Sequence, residues 1–268
     1  MRCFLEVMFD PVVIGQGLSG WTLLQTTLHT QKDAFNRSSN IKSDVEYLKT
    51  ELEKVSHATE LVEDRRLLRI VLDAYDLSDD LDSRFFIKTV MEGGIDDRSS
   101  LANKLSDRRY RQLAADFDFS RPTSPISGEL VAKTVKRFQT KSFEVAVGEQ
   151  DRDMRLALGF QNELRDITRS APTNTTAWYQ ILATPSIRTV IDKALSLPKE
   201  FQNLDIDVQL ERIKDRASQQ FGTDEVSAFA SDDLVDKIVQ RFLVRQQAAY
   251  LSSSNSMQTA LTLLRQVY

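Results

Sequence analysis

Apolar residues recur along most of the chain at intervals of three and four positions, which is the spacing of one face of an α-helix. In the first example, Trp21, Leu24, Leu28 and Phe35 share a face. Further stripes of this kind begin at Val45, Leu68, Phe85, Tyr110, Leu130, Met154, Trp178, Ile187, Ile206, Leu234 and Met257. The pattern predicts a succession of amphipathic helices and an all-α fold.

Glycine and proline are scarce, with 9 and 6 of them in 268 residues. Average usage is about 7% for glycine and about 5% for proline. Proline is absent from residues 12–121, and glycine is absent from residues 21–92. A fold built from β-hairpins needs turn residues more often than this. The scarcity of turn residues therefore favours few, long helices.

Short polar residues mark three helix starts. Ser43 is followed three residues later by Glu46, which is the spacing of a capping box. Asp107, or Ser106 before it, precedes the Tyr110 stripe, and Asp205 precedes the Ile206 stripe. Such side chains accept hydrogen bonds from the unpaired N–H groups of a first helical turn. We expect helices to begin at these three places.

The clearest break in the helical pattern is a segment rich in proline, serine and glycine at residues 121–128. It predicts two helical bodies joined by a short linker. The expected organisation is an N-terminal loop over residues 1–20, a first helical lobe over 21–120, the linker over 121–128 and a second helical lobe over 129–268.

The two lobes resemble each other. Residues 69–77, RIVLDAYDL, align with residues 188–197, RTVIDKALSL, with one inserted residue. Further on, Ser106 lies eleven residues before Phe117, and Ser231 lies eleven before Phe242. Two matches in the same order favour an internal duplication of a multi-helix unit.

Composition limits the kinds of partner. The chain is 41% apolar and 28% charged, with a net charge of −4, so it has no general attraction for nucleic acid or anionic lipid. No apolar run reaches the ~18–20 residues that span a bilayer. A single cysteine, Cys3, with His29 and His57 gives neither a disulfide framework nor a zinc site. We expect no nucleic acid, no membrane insertion and no metal.

Residues 15–20, GQGLSG, fit the G-x-G-x-x-G pattern of dinucleotide-binding proteins. That chemistry also needs a second parallel strand with an acidic residue about twenty positions further on. Residues 33–60 read instead as polar amphipathic helix. The favoured interpretation is a glycine-rich loop that lets the chain pass closely beneath Trp21, so no cofactor is expected.

Catalytic groups are not assembled in any recognisable motif. The chain lacks the nucleophile elbow of serine hydrolases, and both histidines fall on predicted helices. The acidic runs at 79–82 and 205–207 are interpreted as helix caps or solvated faces, although oxygen ligands for a cation are the alternative. Lys104, Arg108, Arg109 and Arg111 are interpreted as an exposed helix face rather than a phosphate site. We therefore assign no catalytic residue and expect no enzyme activity.

Several segments carry a family resemblance. SLANKLSDRRY at residues 100–110, after FFIKTVME at 85–92, resembles the family called domain of unknown function 1217 from alphaproteobacteria. Further segments that are similar to the family are Trp21 with LLQTTLHTQKDAF after it, RLLRIVLDAYDL from Arg66, MRLAL from Met154, Trp178 with Tyr179, and LDIDVQLERIKDR from Leu204. The resemblance implies an all-helical fold, no known activity, no defined catalytic residue, and genes often placed among flagellar genes. It begins near Met8, which makes residues 1–7 a candidate misassigned start.

The residues of the family-like segments supply the candidate site. Asn103 or Asp107 would cap a helix, Arg109 would pair with a carboxylate, and Tyr110 would pack. The alternative is that the same polar group faces a partner. The candidate interaction or structural residues are Trp21, Asn103, Asp107, Arg109, Tyr110, Trp178 and Tyr179.

A weaker similarity concerns the ends of the chain. Residues 234–264 resemble the C-terminal helix of flagellar rod and hook proteins, and residues 30–45 resemble the N-terminal one, although the β-rich middle of those proteins is missing. The resulting hypothesis is a non-enzymatic, cytoplasmic interaction protein that assists flagellar assembly or function, with a protein partner and a homo-oligomer as an open option. The alternatives are an exported axial or rod-associated component, and a ligand-binding protein or enzyme with a pocket between the lobes.

Overall fold

The computed structural model describes the backbone of residues 9–120 and 125–266, and side chains as far as residue 252. The chain is 77% helical, with fourteen α-helices, two short 3₁₀-helices and no strand in the described ranges. This confirms the predicted all-α fold. Few glycines and prolines interrupt the helices, and their apolar stripes supply the buried residues of the core.

The chain forms two compact units, of which the first comprises residues 1–12 and 27–147 and the second residues 13–26 and 148–268. Helices α1 (Gly17–Asn36) and α8 (Gly128–Gln150) carry the boundaries between them. The remaining helices of the first unit are α2 (Ser39–Leu52), α3 (Ala58–Glu63), α4 (Arg65–Ala74), the 3₁₀-helix Ser78–Asp80, α5 (Arg84–Gly93), α6 (Leu101–Lys104) and α7 (Arg108–Asp116). Those of the second unit are α9 (Arg152–Ser170), α10 (Asn174–Ala183), α11 (Pro185–Ala194), the 3₁₀-helix Lys199–Asn203, α12 (Ile206–Phe221), α13 (Val226–Phe229) and α14 (Asp232–Gln266).

These units divide the chain differently from the predicted lobes. Most of α8, expected to open the second lobe, belongs to the first unit, where Phe143 packs edge-on against Phe35 at 5.6 Å between ring centroids. Residues 121–124 of the predicted linker lie outside the described ranges, as do residues 1–7. The boundary between the units falls within α8, at residues 147–148, and the predicted linker stays a prediction.

The core of the first unit is centred on α4. Its N-cap Asp64 accepts hydrogen bonds from the N–H groups of Arg66 and Leu67, and six of its ten residues are buried. Tyr75 follows the helix and packs edge-on against Phe117, while its hydroxyl donates to Asp116 at 2.6 Å. The helix is thereby fixed by a polar cap at one end and by an aromatic pair at the other.

The core of the second unit is centred on α11, which packs against α9, α10 and α14. Trp178 of α10 is fully buried against Phe229, and its indole nitrogen donates to the carbonyl of Asp224 at 2.7 Å. That hydrogen bond satisfies the one polar atom of the ring, as burial of tryptophan requires. The Trp178 pair therefore anchors α10 to α13.

Helices α4 and α11 end in the same way. Asp76 and Ser196 have φ angles of +58° and +59°, and the next residue in each case donates its N–H back to the helix, Leu77 to Leu72 and Leu197 to Asp192. Each helix is followed by a 3₁₀-helix, a longer helix, a four-residue helix and a further helix. These are Ser78–Asp80, α5, α6 and α7 after α4, and Lys199–Asn203, α12, α13 and α14 after α11. The internal duplication stays a prediction, and this shared order supports it.

Helix starts were predicted with mixed success. Asp107 and Asp205 are the N-caps of α7 and α12, and each accepts a main-chain N–H two residues later. The capping box at Ser43 is wrong, because α2 begins at Ser39 and Ser43 lies inside it, accepting a hydrogen bond from Arg66. A polar residue at the right spacing does not show which turn of a helix is the first.

Candidate functional site

The junction between α6 and α7 holds four of the predicted site residues. Asp107 caps α7, and Arg109 donates from Nε and Nη2 to its carboxylate at 2.6–3.1 Å. Burial acts to raise the pKa of Asp107, but the hydrogen bonds from Arg109 hold that pKa below its ordinary value. Arg109 also donates to the carbonyl of Asp76, the left-handed residue after α4. One guanidinium thus joins the start of α7 to the end of α4.

Tyr110 makes a second connection beside the first. Its ring packs edge-on against Phe86 of α5, with centroids 5.2 Å apart and planes at 84°. Its hydroxyl donates to Asp80 in the 3₁₀-helix at 2.6 Å. Burial and this hydrogen bond raise the pKa of Tyr110 to about 12. Tyr110 therefore stays neutral at physiological pH and holds α5, α7 and the 3₁₀-helix together.

Asn103 and Asp107 are the two residues expected to cap a helix, and Asn103 does not do so. It lies within α6, where its amide nitrogen donates to the carbonyls of Ile95 and Asp97, both at 2.8 Å. Its amide oxygen accepts from Arg111 at 3.0 Å. Asn103 thereby fixes the loop between α5 and α6 and attaches it to α7.

The sequence pattern predicts the wrong exposure for Phe85. The stripe of Phe85, Phe86 and Val90 predicted a buried face, and Val90 is indeed fully buried. Phe85, however, is 82% exposed in the first turn of α5. Phe86 packs against Tyr110 and Phe85 points elsewhere, because side chains at two successive helix positions point about 100° apart. Phe85 is connected to this network through the chain, because its neighbour Phe86 contacts Tyr110 and Tyr110 contacts Asp80. We call Phe85 together with Asp80, Arg109 and Tyr110 the Phe85 surface.

The basic residues around α7 are mostly exposed, as predicted. Lys104, Arg109 and Arg111 lie at the surface, while Arg108 is partly buried. Burial and the charge of Arg111 lower the pKa of Arg108. The residues around the Phe85 surface therefore carry both signs of charge. Asp80 and Asp107 are acidic, and the residues of the basic group are Lys104, Arg108, Arg109 and Arg111.

The other predicted site residues belong to the second unit. Trp21 in α1 and Trp178 in α10 are buried, so both serve the core. Tyr179 is partly exposed, and its hydroxyl donates to Asp207 at 2.6 Å. This hydrogen bond raises the pKa of Tyr179. The structure thus brings together Asn103, Asp107, Arg109 and Tyr110, and it places the remaining three in a different unit.

The glycine motif at residues 15–20 has a local structural explanation. Gly15 has a φ angle of +85°, and Gly20 lies against it, so that a Cβ on Gly20 would stand 2.7 Å from the Gly15 carbonyl oxygen. No strand follows in the described ranges, so the parallel sheet of a dinucleotide-binding fold is missing there. The motif forms a tight turn into α1.

Two cavities in the described part of the chain are smaller than the usual pocket for a drug-sized molecule. This part of the chain contains no group of three or more metal-binding side chains close enough to hold an ion. A cavity of about 130 Å³ lies among Asn174, Glu225 and Ser227, and one of about 200 Å³ among Glu51, Glu60 and Asp64. Pockets for drug-sized molecules usually measure about 300–1,000 Å³. Within the described ranges, no helix combines the length and the apolar character needed to cross a bilayer.

The described part of the chain is an all-α protein, and Phe85 is the most exposed of its large apolar side chains. Residues 74–232 match the family described as "Protein of unknown function (DUF1217)", and the chain belongs to that family. The chain is also similar in fold to a crystal structure of a protein from Agrobacterium tumefaciens, with a TM-score of 0.69 and 20% identity over 89% of this chain and 97% of that one. No curated protein matches the sequence.

Proposed function

We propose that the protein is a non-enzymatic interaction protein that binds a protein partner through the Phe85 surface. The observation that carries this proposal is the 82% exposure of Phe85 on an ordered helix. Burying a phenylalanine side chain contributes about 1.5–3 kcal/mol. Because Phe85 stays exposed in the folded chain, this free energy is gained only when a partner covers the side chain.

The polar network that Phe86, the neighbour of Phe85, joins through Tyr110 supports the same proposal. Arg109 and Tyr110 are each held by two contacts, Arg109 to Asp107 and Asp76, and Tyr110 to Phe86 and Asp80. Side chains that are already ordered lose little conformational entropy when a partner binds. Tyrosine and arginine are also enriched among the residues that dominate binding energy. The surface therefore combines an exposed aromatic anchor with a pre-organised polar rim.

The family resemblance supports a place for this partner in flagellar assembly or function, and the proposed location is the cytoplasm. Deletion of the gene from a motile strain should abolish swimming. We expect the wild-type gene to restore it and the Phe85→Ala variant to fail. Ile206→Ala is the matched control, because Ile206 is also an exposed apolar residue in the first turn of a helix. Both variants should accumulate to the wild-type level.

The outcomes separate the parts of the proposal. If swimming survives deletion of the gene, the flagellar part fails. If deletion abolishes swimming but Phe85→Ala and Ile206→Ala both restore it, the Phe85 surface is not the binding site.

An exported axial component is the second candidate, and the 35-residue helix α14 favours it. It predicts the protein in purified flagellar filaments or basal bodies. The third candidate, a ligand-binding protein or enzyme, predicts a rise in melting temperature with a nucleotide or metabolite. A ligand at 100 times its dissociation constant adds about 2.7 kcal/mol to the free energy of unfolding.

A further inference from the structure

Helix α14 changes character after Leu243. Up to that residue the helix carries five buried apolar side chains, which are Val235, Ile238, Val239, Phe242 and Leu243. From residue 244 to residue 252, where the described side chains end, none is buried, although the helix continues to Gln266. We call residues 244–252 the α14 arm. Local opening of a fold is easiest where few apolar side chains are buried, so the α14 arm is the part of this helix that is able to move by itself.

One carboxylate holds two turns of the α14 arm. Asp153, in the first turn of α9, accepts a hydrogen bond from the side-chain amide of Gln246 at 2.9 Å. It also accepts one from the hydroxyl of Tyr250. Gln246 and Tyr250 are four positions apart, so both lie on the same face of the helix. Two successive turns of the α14 arm thus share Asp153 as their acceptor.

The burial of Asp153 works against this attachment. Asp153 is 9% exposed with the arm in place, and both donors that the arm supplies are neutral. Covering a carboxylate is costly, and hydrogen bonds from neutral groups return only part of that cost. Tyr250 is itself 61% exposed, so water readily replaces Asp153 as the partner of its hydroxyl. Asp151 and Arg152 add one charge of each sign nearby. The gain from the two hydrogen bonds and the cost of covering the carboxylate therefore oppose each other.

We propose that Asp153 is a conformational clasp, and that the α14 arm exchanges between a state docked on α9 and an undocked helical state while the rest of α14 stays packed. In the undocked state Asp153 regains its contact with water, and this hydration offsets the two hydrogen bonds that are lost. Undocking therefore leaves the core of the second unit intact. The device is separate from the Phe85 surface, which lies in the first unit.

A distance measurement on the full-length protein reports the state of the arm. Nitroxide labels are attached to Ala249→Cys in the arm and to Arg169→Cys near the far end of α9, in a chain that carries Cys3→Ser. Ala249 and Arg169 are both exposed, so the labels disturb no packing. Double electron–electron resonance should then give two populations of distances, of which one is that of the docked arm.

Three variants separate the clasp from a simple anchor. Gln246→Leu combined with Tyr250→Phe leaves the carboxylate covered without its donors, and should raise the ratio of undocked to docked arm at least tenfold. Asp153→Asn removes the charge, keeps an acceptor oxygen, and should lower that ratio. Lys237→Leu is the control, because it removes a donor from Asp233, a carboxylate that is 76% exposed on the packed part of α14. The control should leave the ratio unchanged.

Two results would overturn the proposal. The first is a single distance, the same in the wild type and in the variant that lacks both donors, because the arm would then not undock. The second is an Asp153→Asn variant that undocks the arm as much as the loss of both donors does, because Asp153 would then be an ordinary anchor. Circular dichroism and urea midpoints show that each variant is folded.

Discussion

The backbone at Gly20 lies directly against the carbonyl of Gly15, at a distance where a Cβ on Gly20 would stand 2.7 Å from the oxygen and 2.8 Å from the carbon. Real Cβ atoms do not approach backbone that closely, so the turn before α1 requires glycine at position 20. The clash is with main chain, which cannot rotate away as a flexible side chain can.

Gly20→Ala should therefore destabilise the protein by about 1–3 kcal/mol, the usual cost of inserting a methyl group into a packed site. Gly128→Ala is the control, because nothing lies within 4 Å of a Cβ at that position. The control should change the free energy of unfolding by less than about 0.5 kcal/mol. Urea denaturation of the two variants measures both values, and equal stabilities would show that the turn relaxes freely.

Adjacent phenylalanines provide a second prediction. Phe85→Ala should leave the free energy of unfolding within about 0.5 kcal/mol of wild type, because the side chain is already exposed to water. Phe86→Ala removes the partly buried ring that packs on Tyr110 and should cost about 2 kcal/mol, less than the ~3–5 kcal/mol for a fully buried phenylalanine. The two substitutions delete the same atoms one position apart. A large loss from Phe85→Ala would mean that the side chain is covered in solution.

Tyr110 predicts a change in stability at alkaline pH. An unfolded tyrosine has a pKa of about 10, and the folded protein raises the pKa of Tyr110 to about 12. The folded state therefore holds the proton more tightly. The stability that this contributes is complete below about pH 10 and is lost as the pH rises toward about 12.

Tyr110→Phe removes the hydrogen bond to Asp80 and should cost about 1 kcal/mol near neutral pH. The difference between wild type and variant should then shrink between about pH 10 and about pH 12. Tyr75, whose pKa is also raised, titrates in both proteins and cancels in the comparison. Urea midpoints of the two proteins at several alkaline pH values measure the difference. A difference that stays constant through this range would contradict the role given to Asp80.

The sequence predicts the helices well because their signals are local. The stripe of Leu68, Val71, Leu72 and Tyr75 is buried throughout. Asp107 caps α7, as its position before the Tyr110 stripe predicts. Periodicity and capping depend only on residues within a turn or two of each other. The same locality explains the failure at Ser43, where the spacing of a capping box occurs inside a continuous helix.

The candidate site is less predictable because its partners are distant along the chain. Arg109 contacts Asp76, 33 residues away, and Tyr110 contacts Asp80, 30 residues away. No spacing rule connects such positions. The exposure of Phe85 was missed for a related reason, since an apolar stripe shows which residues share a helix face and not how far the neighbouring helices cover it.

A buried carboxylate in the second unit provides a last prediction. Asp192 in α11 is 9% exposed, and its Oδ2 accepts from Gln202 at 3.2 Å and from Arg188 at 3.3 Å. Its Oδ1 is buried without a hydrogen bond from the described residues. Burial accordingly raises the pKa of Asp192 above its ordinary value. The charged form is therefore less favourable in the folded state than in the unfolded one.

Because the folded state binds this proton more tightly, the contribution of Asp192 to stability is greatest below the unfolded pKa of about 3.9 and declines as the pH rises through the folded pKa. Asp192→Asn keeps the shape and an acceptor oxygen without the titration. The free energy of unfolding of the variant should therefore gain on that of wild type as the pH rises from about 4 to about 7. Urea midpoints of the two proteins across this range measure the gain. A wild type that gains on the variant instead would mean that the charge pair with Arg188 outweighs the burial of the carboxylate.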